Sequence, residues 1–119
     1  MKKLRIFTME DWKSEVLLEE KPVVVDFQAP WCKSLILQNQ DLVKLDEEVK
    51  GDAKVFQIDV TQFPLVAMTY RLMDFPVLGL FYKGELLKTC RGIGRVREMK
   101  QMLMLCLDSY VSKYSNLQG

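Results

Sequence analysis

The run Val23-Val24-Val25-Asp26-Phe27 leaves this chain little choice of local structure. β-Branched and aromatic residues follow one another with no polar alternation, so the segment reads as a strand buried on both faces. It passes through Gln28-Ala29-Pro30 into Trp31-Cys32-Lys33-Ser34-Leu35, where a helix is predicted to begin at Cys32. Backbone N–H groups and the macrodipole at a helix start stabilise negative charge, so a Cys placed there is expected to be a reactive thiolate. A redox dithiol of this kind would carry its second Cys three residues on, and that position holds Leu35.

The rest of the chain alternates helix and strand signals. Leu4 to Phe7 is a short strand candidate. Thr8 is a good N-cap, with Asp11 three residues later, so a helix is predicted from Met9 to Leu18, ended by Lys21-Pro22. The helix from Cys32 sets Leu35, Leu42, Leu45 and Val49 on one face and stops at Gly51. Lys54 to Val60 is the next strand, and Phe63-Pro64 opens a short helix to about Leu72. Val77 to Tyr82 and Glu85 to Arg91 read as a β-hairpin joined by Lys83-Gly84. Beyond Gly92 and Gly94, a final helix is predicted from Val96 to Lys113, with the stripe Met99, Met102, Leu103, Cys106 and Tyr110. The order β-α-β-α-β-α-β-β-α predicts an α/β fold, a mixed sheet with helices on both faces, in a single domain over residues 1–119.

Lys and Arg number 17 against 16 Asp and Glu, a net charge of +1 that makes no electrostatic case for nucleic acid or an anionic membrane. No apolar run reaches transmembrane length. The basic N-terminus lacks the apolar stretch of a signal peptide, so a cytoplasmic chain starting at Met1 is the expectation. The three Cys are widely spaced and there is no His, so neither a disulfide framework, a metal site nor a Cys–His pair is expected. No cofactor is implied.

Several short motifs occur in order and at compatible spacing: Asp26-Phe27, Ala29-Pro30-Trp31-Cys32, Asp59-Val60, Phe75-Pro76, Phe81-Tyr82-Lys83-Gly84 and Gly92. Together they resemble the thioredoxin family over nearly the whole chain. The resemblance implies the thioredoxin-like fold and protein or peptide disulfide substrates. It makes Cys32 the attacking thiol, partly exposed beside Trp31. It makes Pro76 the family's cis-proline, with Phe75 beside it helping to form a substrate-docking surface to which Gly92 also belongs. Asp26 takes the place of the buried acid that helps move the proton of the second Cys.

The departures alter the chemistry. Leu35 removes the second thiol, Gln57 and Gln28 replace a usual Lys and Trp, and Gln40 stands where a helix-kinking proline is usual. Val77 replaces Thr after Pro76. Asp74, near the expected thiolate, should oppose its ionisation. A lone thiolate can still form a mixed disulfide, but an outside thiol such as glutathione must then release it. Cys90, on a strand, and Cys106, on the last helix, are expected too far away to resolve it. Leu35, Ile36 and Leu37 cannot all be buried by a helix with one core face, so Leu37 should extend an apolar rim around the site. Two readings follow: a monothiol oxidoreductase of cell redox homeostasis working through Cys32, and a redox-silent protein- or peptide-binding module using the same rim. A monomer is expected in either case.

Overall fold

A computed structural model describes residues 5, 6 and 8–118, the side chains of 33, 34 and 109–118 excepted. Val23–Gln28 forms β1 and lies inside the sheet, with neighbours on both edges. It pairs in parallel with β2 (Lys54–Asp59) and antiparallel with β3 (Val77–Tyr82), which pairs antiparallel with β4 (Glu85–Arg91). The mixed sheet therefore has the order β2-β1-β3-β4. Of the expected strand Leu4–Phe7, Leu4 and Phe7 lie outside the described residues. Arg5 makes a single parallel bridge to Gln57, and the Ile6 N–H donates to the Gln57 carbonyl at 2.9 Å.

Alternation along β1 builds two apolar layers. Val23, Val25 and Phe27 join Trp12 of α1 (Met9–Trp12) and Val66 of α3 (Pro64–Thr69) on one face. Val24 joins Leu42 and Leu45 of α2 (Ile36–Glu48), with Met99 and Leu103 of α4 (Val96–Gln118), on the other. Helices thus cover both faces, the thioredoxin-like arrangement that the element order predicts. Among the described residues no helix is long and apolar enough to cross a membrane.

Local chemistry accounts for most element ends. Thr8 and Asp11 form a reciprocal capping box. After Trp12 the first helix widens into a π turn, Lys13–Leu17, with the Leu18 N–H reaching back to the Lys13 carbonyl at 2.8 Å. A Schellman motif ends α3 before the predicted Leu72. Arg71 takes a left-handed φ of 53°, its N–H donates to Met68 O at 3.1 Å, and the Leu72 N–H donates to Ala67 O at 2.9 Å. In the β3–β4 turn both Lys83 and Gly84 have positive φ, the twist that suits a two-residue hairpin. A Cβ at Gly84 would stand 2.9 Å from the Leu17 carbonyl oxygen, so only glycine fits.

An aromatic cluster closes the α1/α3 layer. The Trp12 ring meets Phe81 edge-on at 5.4 Å and lies 6.0 Å from Phe27 and 6.2 Å from Tyr70. Trp12→Ala removes the central ring and should lower stability by about 3–5 kcal/mol. Urea denaturation followed by circular dichroism measures the loss, and a change below about 1 kcal/mol would show that the layer closes without it.

Candidate functional site

The chain leaves β1 through an extended Ala29 and enters a tight 3-10 turn, Pro30–Ser34, with Pro30 at its first position. The Cys32 N–H donates to Ala29 O and the Leu35 N–H to Cys32 O, each at 3.0 Å. Leu35 then leaves helical space (φ −82°, ψ 69°), so α2 begins only at Ile36. This corrects the expectation of a helix starting at Cys32. The i→i+3 bonds wind the 30–34 turn too tightly to run on into α2, and the break at Leu35 separates the two. The favourable end of the α2 dipole therefore lies beyond Cys32, and its effect fades within a turn.

Cys32 is also not partly exposed: its relative exposure is 0%, within the α1/α3 apolar layer. Burial pushes its thiol pKa up, and the charge of Asp26 pushes in the same direction, against a backbone hydrogen bond from Ala29. The expected activated thiolate is thus a protonated, buried thiol in this conformation. Asp74, expected to supply the opposing charge, is solvent-exposed and faces Arg91 at 3.9 Å. The carboxylate that acts on Cys32 is Asp26. Leu35 is half-buried in the same layer as Cys32, not on the α2 stripe with Leu42, Leu45 and Val49. Gln38 occupies that stripe's first turn and is buried.

Asp26 points to the opposite face of the sheet, toward α2. Its Oδ2 accepts from Gln28 Nε2 at 2.6 Å and from Gln57 Nε2 at 3.3 Å. The same two amides donate to Asn39 Oδ1, at 3.1 and 2.8 Å, so two amides hold the acid and Asn39 holds the amides. The acid's Oδ1 has no hydrogen-bond partner among the described residues. Desolvation raises the Asp26 pKa to about 7, and the hydrogen bonds from Gln57 and Gln28 only partly offset it. Gln28 and Gln57 also line a pocket of about 160 Å³ at the carboxyl ends of β1 and β2, with Arg5, Asp59 and Gln62. That pocket places the acid's hydrogen-bond partners beside water.

The Phe75–Pro76 peptide bond is cis. Pro76 O accepts from the Gly92 N–H at 2.8 Å, which ties the start of β3 to the end of β4. Phe75 is half-buried against the layer that contains Cys32, whereas Trp31 is 66% and Leu37 77% exposed. Ile36 and Ile93 are exposed as well. Cys32 and Phe75 thus share one apolar layer, Pro76 and Gly92 are bonded to each other, and Asp26 reaches Cys32 only through its charge. Cys90 and Cys106 pack in the α2/α4 layer, across the sheet from Cys32. Sequence reasoning missed Asn39 and Gln38. For Gln38 a signal was present, because it precedes Leu42, Leu45 and Val49 at helical spacing. The Gln38 side-chain Oε1 accepts from the Gly94 N–H at 2.9 Å, holding the loop after β4 against α2.

A thioredoxin family profile, described as Thioredoxin, matches residues 3–104. The chain belongs to the thioredoxin family. It is 33% identical to a thioredoxin of Pyropia yezoensis over 105 residues, covering 88% of this chain and 94% of that relative. A Streptomyces clavuligerus thioredoxin is 33% identical over 89 residues, 75% of this chain and 82% of its own length. Thioredoxin C-2 of Corynebacterium nephridii is 36% identical over 78 residues, 66% of this chain and 72% of its own length.

In this thioredoxin-family chain the raised pKa of Asp26 links folding to pH. The folded acid keeps its proton up to about pH 7, while the unfolded one loses it near roughly pH 3.9. Stability from this group is full below the lower value, falls as pH rises between the two, and is lost above the upper one. Asp26→Asn should abolish that fall and be more stable than the parent at pH 8, by an amount on the order of a few kcal/mol. Urea midpoints of both proteins from pH 4 to pH 8 provide the check. Parallel pH profiles would mean that Asp26 ionises freely in the fold.

Proposed function

We propose that this chain takes part in thiol–disulfide exchange through Cys32 alone, on protein or peptide disulfides. Family membership supports a thioredoxin-like redox function. The observation that carries the single-thiol reading is the placement of Cys32 in the turn leaving β1, in one apolar layer with Leu35 and Phe75, while both other cysteines lie across the sheet. The Cys32 thiolate attacks one sulfur of the substrate disulfide, forming a mixed disulfide and releasing the other substrate sulfur as a thiolate, which takes up a proton. One glutathione thiolate then attacks Cys32 Sγ and frees the second substrate thiol. A second glutathione attacks the resulting Cys32–glutathione disulfide, giving glutathione disulfide and restoring Cys32. Two glutathione molecules are oxidised for each substrate disulfide reduced.

Trp31, Phe75, Pro76 and Gly92 serve as the docking rim in this reading. Because Cys32 is buried and protonated, the 30–34 turn must open before attack, so exchange is slow. Asp26 acts through charge: when ionised it holds the Cys32 pKa up. The complete burial of Cys32 favours a second reading, a redox-silent module that binds an apolar or extended segment on the same rim.

Alkylation of Cys32 across pH, read site by site by mass spectrometry, should be slow with a pKa above the free-thiol value of about 8.5. Incubation with glutathione disulfide should nevertheless yield a glutathione adduct on Cys32. Leu35→Cys supplies an intramolecular resolving thiol and should raise turnover of a protein disulfide by roughly tenfold or more. Absence of any adduct, together with no gain from Leu35→Cys, would leave the binding module.

A further inference from the structure

The outward side of α4 is left unpaired by the fold. Met102 to Leu107 is an unbroken apolar run, more than one core-facing stripe can bury. Met99 and Leu103 are buried, and Met102, Met104, Cys106 and Leu107 lean on the same layer. On the other side Arg97, Gln101 and Asp108 are exposed, with half-buried Met104 among them at helical spacing and Lys100 and Leu105 on the flanks. These residues line a shallow groove of about 600 Å³ in which Leu105 is 68% exposed. Neither Arg97 nor Asp108 forms an ion pair with another described residue. Lys100 turns its ammonium to Glu48, leaving its aliphatic stem toward the groove.

We propose that this face pairs with the same face of a second copy of the chain, two α4 helices crossing antiparallel about a two-fold axis. The argument is self-complementarity. The register that sets Arg97 of one copy against Asp108 of the other also sets Gln101 against Met104 and brings Leu105 of both copies to one flank. The opposite charges then meet twice, as an isologous contact requires. Both charge signs on the rim argue against an anionic lipid surface, which would favour basic residues alone. Six side chains are few beside the roughly 20–30 residues a side of a stable interface, so the dimer is weak and concentration-dependent. A reversible dimer thus replaces the expectation of a monomer, and it is independent of thiol chemistry.

Sedimentation velocity on the full chain with a thiol reductant, over a concentration series to about 1 mM, should show a monomer–dimer equilibrium. Arg97→Asp or Asp108→Arg alone should weaken dimerisation roughly tenfold or more, and the double reversal should restore it. Leu105→Glu should abolish it. All these positions lie outside the core, and far-UV circular dichroism would verify that each variant folds. A monomer at every concentration would overturn the proposal, as would a dimer indifferent to the single reversals, which would place the contact elsewhere.

Discussion

Val23, Val24, Val25 and Phe27 are all sealed from water, so β1 needs one apolar layer above it and another below. Burying each such side chain is worth roughly 1.5–3 kcal/mol, and no partly covered strand collects that. The requirement sets the positions of the other elements. α1 and α3 close one side, α2 and α4 close the other, and β2 and β3 satisfy the two hydrogen-bonding edges. The same closure forces Asp26, alone among the residues of that run, to be an acid without water. The fold compensates with Gln28, Gln57 and Asn39, and the remaining desolvation raises the acid's pKa to about 7.

The sheet thereby divides the chemistry of the site. Cys32 lies on the α1/α3 side, Asp26 on the α2 side, and the coupling between them is charge acting through the strand. A thiol and an acid separated in this way are not a hydrogen-bonded nucleophile and base. The pair works instead as a mutual brake, since an ionised Asp26 makes the Cys32 thiolate harder to form. Slow single-thiol exchange and a silent docking surface therefore differ in only one physical quantity, the cost of opening the 30–34 turn.

Two backbone N–H groups hold the rim, one through a carbonyl and one through a side-chain amide. The Gly92–Pro76 and Gly94–Gln38 hydrogen bonds join the ends of β3, β4 and the first turn of α2. Ile93 and Leu37 are displayed by those tied segments, so their exposure is a property of the frame. The outward face of α4 belongs to a different part of the molecule.

Local pattern was enough for most of the fold. The strand signals at Val23, Lys54, Val77 and Glu85 matched the observed starts, because alternation and apolar runs are short-range properties that each segment carries within itself. Capping by Thr8 and the hairpin glycine were legible for the same reason. The site was legible only as a set of residues. That Cys32 would be buried, that Leu35 would break the helix and cross to the other layer, and that Asn39 would complete a ring of amides depended on segments up to 31 residues apart meeting in space. A pKa is set by the dielectric and charges around a group, and those exist only once the layers have closed. Sequence alone therefore determined which residues stand at the junction, while the packed tertiary structure decided that the thiol there is neutral and hidden.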